Sequence, residues 1–228
     1  MRITGAKIYI FFTFLTVFLY SCQSDEIKVI ENEGENLVPG SELAIQLMRV
    51  TQFPTSADNI LDGTNCFAVK LPVAVLANGQ PLFIQTEAHY QLIEDVFNLS
   101  PTDEDTVTVF FPVTVIFPDY SEAVIESQEA WNLAAGCSGV NALGDLSCIR
   151  FGYPVSMNTY DVNNRIADIE VIYSKEEVYN FITTMDEDTL ASVAYPIRIL
   201  APQNVQFDSG DNALLLNAIS QFEQQCEN

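Results

Sequence analysis

Phe111-Pro112-Val113-Thr114-Val115 is one of four stretches in this chain that share a pattern: an aromatic residue or Leu, then Pro, then Val or Ile, then any residue, then an apolar one. The others are Leu71-Pro72-Val73-Ala74-Val75, Tyr153-Pro154-Val155-Ser156-Met157 and Tyr195-Pro196-Ile197-Arg198-Ile199. The leading residues stand at 71, 111, 153 and 195, so the steps are 40, 42 and 42 residues. A fixed period of this size marks one supersecondary unit used several times. Proline inside a strand removes a donor from the ladder and belongs at an edge or a bulge. The residue before it is biased to an extended conformation. Four equivalent prolines therefore predict four equivalent bends, each letting a long strand cross from one partner to another.

Working outward, each motif sits in a strand, and a turn, a return strand and a helix follow it. In the first unit the strand covers residues 67–76 and Asn78-Gly79 turns it, since both central positions of a type I′ turn need positive φ. Leu82-Phe83-Ile84 returns, and Thr86 is the expected cap of a helix over 87–97. The second unit has strand 106–117, turn 118–121, return strand 123–125 and a helix opened by Ser127. The third has strand 149–158, a longer loop through Asp161-Val162-Asn163-Asn164, and return strand 167–173. Its helix opens on Ser174-Lys175-Glu176-Glu177, a capping box. The fourth has strand 190–200, a turn at 202–204, return strand 205–207 and a helix over 211–222 expected to be capped by Ser209.

A higher order lies above these units. Asp103-Glu104-Asp105-Thr106 precedes the second and Asp186-Glu187-Asp188-Thr189 the fourth; Cys66 stands five residues before Leu71 and Cys148 five before Tyr153; Cys137 and Cys226 each follow a closing helix. The expected fold is thus α+β, a tandem duplication of (ββα)2 halves at 66–137 and 148–228 joined by a linker at 138–147, with antiparallel sheet covered by helices on one face. Four cysteines in an exported chain favour disulfides. The duplication selects Cys66–Cys137 with Cys148–Cys226; the main rival is Cys66–Cys226 with Cys137–Cys148. Each bridge of the first scheme closes a long loop, adding on the order of 4 kcal/mol by chain entropy.

Ahead of the halves, residues 41–65 read as a short helix capped by Ser41 and ended by Pro54, followed by a polar loop. Residues 22–40 carry Asp25, Glu26, Glu31, Glu33 and Glu35 with Gly and Pro, the composition of a flexible acidic tether. Residues 1–21 read as a signal peptide: Arg2 and Lys7 form a basic start, and the apolar run 8–20 is too short to span a bilayer. It ends at Leu19-Tyr20-Ser21-Cys22, which resembles a bacterial lipobox, with Cys22 as the lipidated residue; an ordinary secretory signal cleaved near Ser21 is the alternative. Gln23-Ser24-Asp25-Glu26 resembles the acidic export signal of surface-displayed lipoproteins in Bacteroidota. With the four motifs, these features make the chain similar to uncharacterised Bacteroidota surface lipoproteins. That resemblance implies a lipid anchor in the outer membrane, with display to the medium or the periplasm, and no known reaction.

Charge narrows the partners. Without the leader, Arg2 and Lys7 are gone, leaving 7 basic against 31 acidic residues and a net charge of −24. Such a surface repels nucleic acid and anionic headgroups. Chemistry is sparse. His89 is the sole histidine, placed on a helix surface, with no nucleophile elbow near it. There is no phosphate loop, HExxH or dinucleotide fingerprint. The acidic clusters at 103–105 and 186–188 supply oxygens of the kind Ca²⁺ takes and carboxylates of the kind glycoside hydrolysis needs, yet both fall at turns, where solvated acids are ordinary. The expectation is a non-enzymatic, membrane-anchored binding module for a protein or glycan, with no cofactor and no metal. The alternatives are a carboxylate-based hydrolase or an inhibitor-like protein that binds a basic partner.

Overall fold

The structure, a computed structural model, describes residues 36–100, 102, 104–137, 144–161, 163–186 and 189–226. Cys22, the signal peptide, residues 22–35 of the tether, Asp103, Glu187, Asp188 and residues 138–143 of the linker lie outside the described residues. The fold is α+β, with six α-helices and four small antiparallel sheets among the described residues.

The four motifs share one conformation. Each X-Pro bond, Leu71-Pro72, Phe111-Pro112, Tyr153-Pro154 and Tyr195-Pro196, is cis. At each, the expected long strand is in fact two. The first half has β1 (Ala68–Val69) and β2 (Val73–Ala77), then β4 (Val107–Val109) and β5 (Val113–Ile116). The second has β7 (Arg150–Phe151) and β8 (Val155–Tyr160), then β10 (Ala191–Ala194) and β11 (Ile197–Leu200). The return strands are β3 (Gln80–Ile84), β6 (Glu122–Ile125), β9 (Ile166–Ile172) and β12 (Gln206–Ser209). Sheet orders are β3-β2-β4, β1-β5-β6, β10-β8-β9 and β12-β11-β7. The piece before each proline therefore leaves its own hairpin and pairs with the hairpin of the neighbouring unit. β1 joins β5 while β4 joins β2, and β7 joins β11 while β10 joins β8. The exchange is reciprocal, so neither hairpin of a pair completes its sheet alone.

Local chemistry sets the ends of these elements. Asn78 (φ 44°) and Gly79 (φ 80°) make the first hairpin turn in the left-handed region that type I′ requires. Ser127 accepts from the Ala130 N–H and Ser174 from the Glu177 N–H, opening helices α4 (Gln128–Ala135) and α5 (Lys175–Thr183) as N-caps do. Glu177 reaches back to the N–H of Tyr173, completing the box one residue early. Two expected caps are corrected. Thr86 makes no side-chain cap; a 3-10 turn, Glu87–His89, precedes helix α3 (Tyr90–Phe97). At the C-terminal helix α6 (Asn212–Cys226) Asp211 caps the Leu214 N–H, while Ser209 ends β12.

Inward positions build two cores. In the first, Val75, Ile84, Val115 and Ile125 of the strands meet Ile93 of α3 and Trp131 of α4. Phe67 stands edge-on to Trp131 at 4.9 Å. In the second, Met157, Ile172, Ile197 and Ile199 meet Val178 of α5 and Leu215 and Ile219 of α6. The leading segment is not merely an entry to the first half. Helix α1 (Glu42–Thr51), capped by Ser41, buries Leu43, Ala44, Leu47 and Val50 in the second core. A buried Leu contributes about 2 kcal/mol, so α1 is a structural member of a half that begins about a hundred residues later. The tether expected to run to residue 40 ends earlier: Leu37 is fully buried and bridges Ala191 at the edge of β10. The loop expected over 55–65 contains helix α2 (Asn59–Asp62), with Thr55, Asp58 and Leu61 buried.

A seam joins the halves. The Phe53 N–H donates to Pro118 O at 2.9 Å, and the Tyr120 hydroxyl donates to Thr51 O. Tyr120 packs edge-on against Phe53 and Tyr179, and Lys175 Nζ lies 5.5 Å from the Phe53 ring centre. Ser56 donates through both N–H and Oγ to Asp145. These bonds hold the Asp145 carboxyl below the usual carboxylate range despite its burial.

Candidate functional site

The reciprocal exchange places two proline segments side by side in each half. In the first half they frame a groove of about 460 Å³, walled by residues 70–74 and 110–114. The Lys70 N–H donates to Thr114 O at 2.9 Å and locks the two walls together. Ala74 and Thr114 are outward residues of β2 and β5. Their cross-strand partners, Phe83 and Val124, share that face. Phe83, Phe110 and Val124 are 53%, 51% and 59% exposed, so the groove opens among unsupported apolar side chains. Lys70 Nζ binds both oxygens of Glu122, at 2.7 and 2.6 Å. This half-exposed pair is worth about 0–1 kcal/mol and sets one charged edge of the opening.

The second half places the same backbone contact, Gly152 N–H to Arg198 O at 2.8 Å, at the equivalent place. There the side chains differ. Arg198 occupies the position of Thr114, and its stem lies over Gly152, where a Cβ would come within 3.1–3.3 Å of it. The guanidinium donates to Asp208 through Nε at 2.7 Å and Nη2 at 3.0 Å. Each partner shifts the other in the expected sense, the Asp208 carboxyl down and the Arg198 guanidinium up. At this place the second half thus carries a long, ion-paired side chain where the first has Thr114.

The sequence-predicted residues fall as follows. Cys66 pairs with Cys137 (Cα–Cα 5.0 Å) and Cys148 with Cys226 (5.7 Å), the scheme that the spacing favoured. Each ties a strand start to a closing helix within its own half. Cys22 is outside the described residues. His89 Nδ1 accepts the Gln85 N–H at 3.2 Å, a turn-closing role. Of the acidic turns, Asp105 accepts from Asn78 Nδ2, and Asn78 Oδ1 accepts the Thr106 N–H, so these residues tie the first hairpin tip to the strand that joins it. Asp161 accepts from the Asn163 and Arg165 amides and the Arg165 guanidinium, which hold its carboxyl at about 2. Among the described residues no three His, Cys, Asp or Glu side chains gather as a metal-holding group.

At α2, in the segment expected to be a polar loop, stand two carboxyls, Asp58 buried and Asp62 half-buried. Asp58 Oδ2 accepts the Val69 N–H at 2.6 Å, and Asp62 Oδ1 the Thr64 N–H at 3.1 Å. Their other oxygens, Asp58 Oδ1 and Asp62 Oδ2, are buried without a hydrogen-bond partner. Burial raises Asp58 to about 6; burial and the neighbouring Asp58 charge raise Asp62 to about 8. Asp58-Asn59-Ile60-Leu61-Asp62-Gly63, an Asx before an apolar pair and a glycine after it, was the available signal for this turn of helix. Among the described residues no helix is long and apolar enough to cross a membrane. No family model, curated protein or solved structure matches the chain.

Proposed function

We propose that this chain is a non-enzymatic lipoprotein, anchored through a lipid on Cys22 to the outer membrane, that binds a protein or glycan partner through the first half. The observation that carries this reading is the open groove at residues 70–74 and 110–114, with exposed Phe110 in its wall and exposed Phe83 and Val124 on the same sheet face, where the second half instead has the Arg198 stem over Gly152. Two tandem copies of a (ββα)2 unit make a module whose second half serves as scaffold and whose first half meets the ligand. Asp58 and Asp62 are read as fold-building groups, since each spends an oxygen on a backbone amide.

The test is a binding screen of purified protein against glycans and surface proteins, repeated with Thr114→Arg and Phe110→Ala. Thr114→Arg imports the long side chain that stands at the equivalent position of the second half. A ligand of the groove is expected to lose about tenfold or more in affinity with either variant, as for a central contact. A ligand held equally by all three proteins refutes the groove. Palmitate labelling of wild type against Cys22→Ala tests the anchor, and protease shaving of intact cells tests surface display.

A further inference from the structure

β9 differs from the other return strands. It spans seven residues, Ile166–Ile172, against five in β3 and four in β6 and β12, and unlike β3 it contains no Pro. It lies at the end of its sheet, paired only with β8 among the described residues. The opposite edge of that sheet, β10, already takes the bridge from Leu37.

Hydrogen-bond parity shows which backbone groups are left over. The Tyr160 N–H donates to Leu190 O, so the even-numbered residues of β8 bond toward β10 and the odd ones toward β9. The β9 residues opposite the odd ones, Asp168, Glu170 and Ile172, are thereby spent on β8. Ile169 and Val171 direct their amides and carbonyls away from the sheet, while Ala167 falls at the register shift between β8 and β9. The Ile169 N–H is screened locally by Asp168 Oδ1 at 2.8 Å, and beyond the strand the Tyr173 N–H is taken by Glu177. The remaining groups form a free edge of the kind that recruits another strand.

Side chains specify what fits it. Ile169 and Val171 are exposed on one face, Asp168 and Glu170 on the other. A second copy of β9 running antiparallel about Ile169 sets Asp168 opposite Glu170, a like-charge juxtaposition that opposes self-pairing. A strand with Lys or Arg at those positions and β-branched residues at the alternate ones meets both faces. We propose that the free edge of β9 is a strand-addition site for an extended partner segment that alternates basic and apolar side chains. It uses a different surface from the groove and stands without it.

The experiment measures fluorescence anisotropy of a labelled peptide of β9's length, alternating lysine and valine, against the full chain in detergent micelles. Three further probes accompany it: the same peptide N-methylated at alternate amides, a glutamate–valine peptide, and the double variant Asp168→Lys/Glu170→Lys. Saturable binding is expected, lost on N-methylation, weakened about tenfold by the double variant and replaced there by binding of the glutamate peptide. Amide-exchange protection at Val171 on wild type reads the same event without a variant. Equal binding of the N-methylated peptide means simple ionic attraction and overturns the proposal. So does absence of binding, or a dimer of the chain formed through β9.

Discussion

Replacing Asp62 by Asn tests whether the α2 carboxyls are a cost that the first half carries. Both folded values, about 6 for Asp58 and about 8 for Asp62, lie above the ordinary 3.8 of the unfolded chain. The folded state therefore binds protons more tightly than the unfolded one. The stabilisation is complete below about pH 4 and is lost as pH rises through 6 and then 8. Two units at Asp58 correspond to about 3 kcal/mol. The larger rise at Asp62 includes repulsion from Asp58, so the two are not summed, and the pair costs on the order of 3–5 kcal/mol by pH 8. Asn keeps an oxygen for the Thr64 N–H and carries no charge. Asp62→Asn should therefore match wild type near pH 4 and exceed it at pH 8 by about 2 kcal/mol, or roughly 4–8 °C in Tm for a chain of this size. Many other acids self-repel as pH rises, so the assay is the difference between the two proteins in thermal melts at pH 4, 6 and 8. A variant equally or less stable at pH 8 refutes the reasoning, as does a gap that does not grow with pH.

Other outcomes follow from the packing. Leu47→Ala, at a fully buried position of α1, should cost about 2–5 kcal/mol in denaturant melts. Hydrogen exchange should show the loss in α5 and α6, because α1 completes the second core. Tyr120→Phe removes the hydroxyl that donates to Thr51 O and should cost about 1 kcal/mol while leaving secondary structure by circular dichroism unchanged. Peptide mapping without reduction should recover Cys66 with Cys137 and Cys148 with Cys226. Removing either pair, which closes loops of 71 and 78 residues, should lower stability by on the order of 4 kcal/mol.

How much of this was legible depends on the range of the physics. The places of the four breaks, the hairpin turn at Asn78-Gly79, the caps at Ser41, Ser127 and Ser174, and the α+β class follow from residues within a few positions of one another. Alternation, helical spacing, positive-φ preference and side-chain caps act over one turn or one pleat, so they can be read along the chain. Thr86 and Ser209 show the limit even there. Each has the right residue type, but a 3-10 turn and the neighbouring Asp211 took over the role.

The groove was not legible, although most of its walls belong to the motif and only Lys70 and Phe110 precede it. Its existence depends on two segments forty residues apart lying together, and on Thr114 having a short side chain where Arg198 has a long one. Likewise the burial of Asp58 depends on the amide of Val69, eleven residues on, being brought to it.

What the sequence by itself determined is where the chain breaks, turns and caps, and which faces are apolar. Only the tertiary structure decided which hairpin each pre-proline strand joins, and that α1 serves the far half. Neighbouring residues specify φ and ψ, whereas the partner of a strand or an apolar face is chosen by competition among all the surfaces that could bury it.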